Sequence, residues 1–163
     1  MVNSPVVRIE LKRADVSQLV KGDKLLSTCA FVKAMGRWAD PIWGLSTAKR
    51  YAEGAVLFQQ GDASDGLVFV LRGQLRFFSR KGTDSVDLGM INPGEVVGEA
   101  EAISGGLRTA SLVAHVATDA VEVPRTAVIG LLARCPELKD LLEGLREQRS
   151  AALDEMTDFL NRW

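Results

Sequence analysis

Residues 97–111 read Val97-Gly98-Glu99-Ala100-Glu101-Ala102-Ile103-Ser104-Gly105-Gly106-Leu107-Arg108-Thr109-Ala110-Ser111. The stretch lies between two β-prone runs and is too long for a hairpin turn. Its spacing predicts a short helix over residues 99–103, closed by Ser104-Gly105-Gly106 and followed by Arg108. A helix N-terminus with free amides and a guanidinium just beyond the helix is the combination that binds a phosphate. Glu99 adds a carboxylate that can accept hydrogen bonds from ligand hydroxyls. The same residues also fit a plain ion pair, of Glu99 with Arg108 or of Arg108 with a surface acid, and a single exposed pair of this kind contributes only about 0–1 kcal/mol.

Outward from this stretch the chain divides into three parts. From residue 50 short β-prone runs cover 55–59, 67–71, 74–79, 86–91, 109–116 and 120–123, the spacing of an all-β sandwich or roll. Glycines 54, 61, 66, 73, 82, 94 and 98 punctuate the runs where tight turns need positive φ, Asp62 and Asp65 supply Asx-type caps, and Pro93-Gly94 fits a type II turn. The expected product is a compact antiparallel body from about residue 48 to 123. Before it, residues 15–34 carry spaced apolar side chains (Val16, Leu19, Val20, Leu25, Leu26, Phe31, Val32) that predict short helices broken at Gly22, Gly36 and Pro41. Trp38 and Trp43 are expected to anchor those helices on the β body. After it, residues 125–134 predict a helix, Cys135-Pro136 a break, and 137 onward a long helix. In that last helix Leu142, Leu145, Arg149, Ala152, Met156, Phe159 and Trp163 recur at three- and four-residue steps, a stripe that suits packing on the β body as well as dimerisation.

Composition excludes several classes. With 163 residues the chain has room for one ordinary domain, and 20 Lys plus Arg against 21 Asp plus Glu leave no basic footprint for a polyanion, so direct nucleic-acid binding is not expected. No apolar run reaches the roughly 20 residues of a membrane span and no signal segment opens the chain, which points to a cytoplasmic protein without membrane partners. Cys29 and Cys135 are far apart and read as small buried hydrophobes rather than a disulfide or a metal site. The single histidine, His115, lies in the β-like run 111–118 and reads as a residue on a strand face. Zinc and iron sites usually need more than one imidazole, and nucleophilic hydrolases need a histidine base, so no catalytic or metal residues are assigned and no enzymatic activity is expected.

Val97-Gly98-Glu99 and Arg108-Thr109-Ala110-Ser111 resemble the phosphate-binding cassette of the cyclic nucleotide-binding domain family. Two further segments resemble the family's strands: the hairpin from Gly61-Asp62 through Asp65-Gly66 to Gly73, and Tyr51-Ala52-Glu53-Gly54 with Val56-Leu57-Phe58. Val123-Pro124-Arg125, Leu131-Leu132 and Pro136-Glu137-Leu138 are similar to its second helix. The resemblance covers roughly residues 47–160. It implies a mainly β fold with flanking helices: an antiparallel, jelly-roll-like β-roll with N-terminal helices, a short phosphate-cassette helix and C-terminal helices. The corresponding parts are an N-terminal helical segment 1–46, the roll 47–124 with cassette 97–111, and C-terminal helices 125–163 acting as lid or dimerisation element.

The same resemblance implies a cyclic nucleotide, cAMP or cGMP, as the ligand, with no other cofactor. Glu99 and the Gly98 amide would hold the ribose 2′-hydroxyl, Arg108 the cyclic phosphate, and the amides of Glu101 and Thr109 would complete the cradle beside Ala110. Thr109 stands where some relatives contact a guanine amino group, yet cAMP-preferring channels have a similar run, so base preference stays open. Arg149 and Leu153, one turn apart on the last helix, would cover the base, with Arg149 stacking on or hydrogen-bonding the purine; a solvated position is the alternative for Arg149. The chain departs from the family pattern at Glu101, where a small apolar residue is usual and where an acid turned inward would repel the phosphate, and at Leu107, which replaces a proline. The expected function is a non-enzymatic sensor whose C-terminal helix closes on the ligand and reports to an effector that the sequence does not name, with homodimerisation through that helix as a further expectation. The alternative is a scaffold that keeps the fold and docks through residues 142–163 without ligand.

Overall fold

The structure, a computed structural model, describes residues 9–11, 13–63 and 66–161. Short strands at regular glycine-marked intervals build two antiparallel sheets. One orders β1 (Ile9–Leu11), β2 (Thr47–Tyr51), β9 (Thr118–Pro124), β4 (Gly66–Arg72) and β7 (Val96–Val97) as β1-β2-β9-β4-β7; the other orders β3 (Val56–Phe58), β8 (Ser111–Ala114), β5 (Leu75–Lys81) and β6 (Asp84–Ile91) as β3-β8-β5-β6. This is the β-roll with flanking helices that the strand spacing and the family resemblance imply.

Strand β4 decides how the layers stack. Its run Leu67-Val68-Phe69-Val70-Leu71 is apolar at every position because both faces are covered. Leu67, Phe69 and Leu71 join a core with the helices, while Val68 and Val70 face the second sheet with Tyr51, Leu75, Leu112 and Ala120. Register carries this division into β9, where Phe69 pairs with Val121 and Val70 with Ala120. Gly66 opens β4 at a backbone approach so close that a Cβ there would lie 2.0 Å from the Val123 carbonyl oxygen.

Helices close both ends of the chain onto the same face. The N-terminal set comprises α1 (Arg13–Gly22), α2 (Lys24–Thr28), α3 (Ala30–Met35), a 3₁₀ turn (Gly36–Trp38) and α4 (Ala39–Leu45). Trp43 anchors it as expected: its ring centroid lies 5.4 Å from Phe69 and 6.4 Å from Phe31, which is itself 5.2 Å from Phe69. Trp38 is half-buried, with the Arg37 and Arg134 guanidinium carbons 5.0 and 5.5 Å from its ring centroid. The C-terminal set is α6 (Arg125–Arg134) and α7 (Pro136–Asn161), whose Val128, Leu131, Leu138 and Leu142 enter the core around Trp43.

Four local expectations are corrected. Pro41 does not break a helix; it occupies the first turn of α4, where its missing N–H has no intrahelical partner to lose. Residues 9–11, read as part of an irregular helical segment, form β1 against β2, because pairing with an open strand edge leaves no trace in three residues. His115 is not on a strand face: β8 ends at Ala114, and His115 is exposed in the following turn with its N–H donating to the Gln74 carbonyl at 2.9 Å. The 109–116 run is likewise shorter than expected, since Thr109 and Ala110 precede β8. Cys135 is buried in the core and Cys29 half-buried, both as free thiols. Of the positions singled out above, Asp65 and Trp163 lie outside the described residues, as do the side chains of Leu153, Met156 and Phe159. No described helix is long and apolar enough to cross a membrane.

Because Trp43 joins the N-terminal helices to β4, Trp43→Ala is expected to lower unfolding free energy by about 3–5 kcal/mol, measured by urea denaturation.

Candidate functional site

The cassette is built on a glycine. Gly98 caps α5 (Glu99–Ser104) with φ +92°, and its carbonyl accepts the Ala102 N–H at 3.1 Å. A Cβ at this position would lie 2.5 Å from Arg108 Nη1 and 3.0 Å from the Gly66 carbonyl oxygen. The glycine therefore serves both the turn and the space that the arginine occupies. Gly105, φ +72°, ends α5 by donating to the Glu101 carbonyl at 2.7 Å.

Arg108 lies under this turn with only 5% of its surface exposed. Its Nη2 donates to the Gly66 carbonyl at 2.9 Å and its Nη1 to the Gly98 carbonyl at 3.4 Å, and its guanidinium carbon is 4.0 Å from the centre of the Phe58 ring. The main chain is held as firmly: the Arg108 N–H donates to the Asp62 carbonyl at 2.7 Å and the Gly61 N–H to the Arg108 carbonyl at 2.8 Å. The loop after β3 and the loop after α5 are thus zipped together on either side of the arginine. Asp62 also acts as the expected turn cap, accepting the Gln59 N–H at 2.9 Å.

Neither cassette acid pairs with Arg108 as its main partner. Glu99, 3% exposed, accepts a hydrogen bond from Arg149 Nη1, and Arg149 Nη2 donates to the Val96 carbonyl at 2.8 Å. Burial pushes the Glu99 carboxyl above the ordinary carboxylate range, against the opposing charge of Arg149. Glu101 turns inward: its Oε1 accepts the Thr109 N–H at 3.0 Å and the Thr109 hydroxyl at 3.3 Å, and its Oε2 lies 3.7 Å from Arg108 Nη1. Ala110 is buried beside them and Thr109 is exposed.

Within the roll a cavity of about 340 Å³ has walls that include Phe58, Asp62, Ala63, Gly66, Arg108 and Glu122. That volume is at the lower end of the roughly 300–1,000 Å³ of small-molecule pockets. Glu122 is held by the Tyr51 hydroxyl at 2.6 Å and by Lys49 Nζ at 3.5 Å. No group of three or more His, Cys, Asp or Glu able to hold a metal occurs among the described residues.

The fold thus brings Gly98, Glu99, Glu101, Arg108, Thr109, Ala110 and Arg149 into one cluster. The backbone of Leu153 continues α7 one turn further on. Arg149 is half-buried and tied to Glu99. Sequence reasoning missed Phe58, the Gly66 and Val96 carbonyls, and Glu122. Phe58 had been placed on an early strand, but its meeting with Arg108 depends on how β3 sits against the cassette, and a carbonyl acceptor carries no side-chain signature at all.

Two packed antiparallel sheets, a glycine-capped helical turn over a buried arginine, and a C-terminal helix tied to that turn define the class: a β-roll with flanking helices. The sequence profile of the cyclic nucleotide-binding domain matches residues 48–135, more than half of the chain, and the chain belongs to that family. It is 31% identical over 112 residues to the "Cyclic AMP receptor protein" of Thermus thermophilus, a match covering 68% of this chain and 52% of the relative, so the chain spans about half of that protein. Among solved structures, Thermus thermophilus catabolite activator protein superposes with TM-score 0.64 at 29% identity, over 76% of this chain and 58% of that one. The sensor domain of the transcriptional regulator DNR from Pseudomonas aeruginosa gives 0.68 at 16% identity, over 88% and 94% of the two chains, a likeness of fold.

Two predictions follow from the cassette geometry. In the mildly acidic range above ordinary carboxylate values, unfolded Glu99 gives up its proton while folded Glu99, pushed up by burial, retains it, so this group's contribution to stability falls as pH rises. Arg149→Ala removes the charge that opposes the upward push and deepens that fall. Urea-derived stabilities of the wild type and Arg149→Ala are expected to differ least in acid and to diverge by about 2–3 kcal/mol toward neutral pH; parallel curves would contradict the assignment. Gly98→Ala, which forces φ +92° on an L-residue and crowds Arg108, is expected to cost about 1–3 kcal/mol in the same assay.

Proposed function

We propose that this chain is a non-enzymatic regulatory domain that takes a cyclic nucleotide, cAMP or cGMP, in its β-roll and passes binding on through α7. The observation that carries this reading is the pair between Glu99 and Arg149. Glu99 matches the family residue that receives the ribose hydroxyl, and it is the same carboxylate that holds α7. Along residues 146–155 every described side chain except Arg149 is exposed, so Arg149 is the attachment of this part of the helix to the roll among the described residues. A ligand hydroxyl bonding Glu99 changes what Arg149 is offered, and the helix is free to move onto the base with Arg149 and Leu153.

In this reading Gly98, Glu99, Glu101, Arg108, Thr109 and Ala110 form the cradle, with Arg108 as the charge that faces the phosphate. The name of the Thermus relative supports the ligand class. The ligand moves α7 only by its differential affinity for the two helix positions, and a hundredfold preference is worth about 2.7 kcal/mol. A second reading, a ligand-free scaffold that docks through residues 142–163, is favoured by the inward turn of Glu101 onto Thr109.

Calorimetric titration and thermal unfolding with cAMP, cGMP and linear AMP discriminate the two, applied to the wild type, Arg108→Lys and Glu99→Gln. Arg108→Lys keeps a cation where the guanidinium supports two buried carbonyls, and circular dichroism checks that both variants are folded. A cyclic nucleotide at a hundred times its Kd is expected to stabilise the wild type by about 2.7 kcal/mol, with linear AMP inert and both variants weakened. The absence of any heat or stabilisation with either cyclic nucleotide on the wild type would overturn the sensor reading.

A further inference from the structure

We propose that Glu101 is a tethered occupant of the cassette's anion seat, which competes with the phosphate of an incoming ligand and sets the site's discrimination between anionic and uncharged nucleosides. The inference rests on the functional reading above and deepens it.

Its basis is where the carboxylate of Glu101 points. One oxygen takes both hydrogen-bond donors that Thr109 offers, the N–H at 3.0 Å and the hydroxyl at 3.3 Å. The other oxygen faces Arg108 Nη1 at 3.7 Å. These are the donors and the charge that the cradle would present to a phosphate. A side chain that only needed to cap the first turn of α5 would stay at the surface, whereas Glu101 is 7% exposed. The open volume in the roll reaches Arg108, the cation that Glu101 faces.

Two consequences follow from elementary electrostatics. A ligand phosphate that reaches Thr109 and Arg108 must displace a carboxylate that is always present at high effective concentration because it belongs to the same helix turn. If it enters without displacing Glu101, two anions share a buried seat beside a third, Glu99, and each repels the others. A nucleoside without phosphate bears neither penalty, since it makes the ribose and base contacts only. Glu101 therefore weakens cyclic nucleotides selectively rather than weakening the pocket as a whole.

The test is calorimetric titration of wild type, Glu101→Gln and Glu101→Ala, each with cAMP, cGMP, adenosine and guanosine, at neutral pH. The glutamine removes the charge but keeps an acceptor for Thr109, and the alanine empties the seat. Circular dichroism establishes that all three proteins are folded. Both variants are expected to bind the cyclic nucleotides about tenfold or more tightly than wild type, alanine at least as tightly as glutamine, while nucleoside affinities move by less than about threefold. Binding that appears only in the Glu101 variants supports the inference in its strongest form and removes cyclic nucleotides as ligands of the unmodified chain. Equal cyclic nucleotide affinities in the three proteins, or nucleoside affinities that rise in parallel, overturn the inference and leave the sensor reading standing. No binding of any compound by any of the folded proteins overturns both.

Discussion

A guanidinium withdrawn from water must be given acceptors, and the way Arg108 is given them organises the middle of the molecule. Its two carbonyl partners, Gly66 and Gly98, both belong to residues without side chains, each for its own steric reason. At Gly98 a Cβ would meet the guanidinium itself, and at Gly66 it would meet the backbone of β9. The arginine thus ties together the start of β4, the left-handed turn before α5 and the zipped loops on either side of residue 108. Phe58 covers the remaining face of the cation, a favourable ring contact that spares the charge from a fully apolar wall. Glu101 Oε2 lies 3.7 Å from Arg108 Nη1, so the buried cation has an anion beside it as well as these neutral acceptors.

The cassette holds two buried acids, and the structure gives them different partners. Glu99 is neutralised by Arg149, which comes from a helix that begins far along the chain; Glu101 is held by Thr109 with Arg108 close by. Burying a carboxylate without a partner costs several kcal/mol, so each partner is a structural requirement before it is a functional one. For Glu99 this has a mechanical result. The requirement can be met only while α7 stays near the cassette, so the electrostatics of one buried acid become a restraint on a helix whose neighbouring side chains face solvent.

Much of this was legible in the sequence, for reasons that differ by residue. The strands were readable because glycines mark their ends, and α6 was readable because Pro124 and Cys135-Pro136 bracket its apolar positions. The site cluster was readable because Gly98, Glu99 and Arg108 fall at fixed offsets around one short helix. What escaped were features that exist only once distant segments meet. The edge strand β1 has three residues and takes its form from β2. Phe58 reaches Arg108 across loops that the arginine's own backbone zips together, and the partner of Arg149 could not be told from spacing, because its i+3 and i+4 neighbours give only the side of α7 it occupies. Glu101 was visible as a departure from the family pattern, but its direction was not. An acid in the first turn of a helix points outward or inward at similar local cost, and only the Thr109 amide beneath it decides.

The arrangement separates two properties that a binding site usually merges. Arg108 is held by backbone acceptors and by an aromatic ring. In the proposed reading, ribose hydroxyls would compete with Arg149 for Glu99, and a phosphate would compete with Glu101 for the donors of Thr109. The cassette would then have two points of adjustment, one at each acid. Exchange at Glu99 is felt by α7, because its partner is on that helix, whereas exchange at Glu101 is felt only within the cassette, because its donors are on Thr109. In that reading, affinity and output would be carried by different carboxylates of the same helical turn, two residues apart. A roll of this fold would then lose strength of binding at Glu101 while keeping at Glu99 the connection through which binding would be reported.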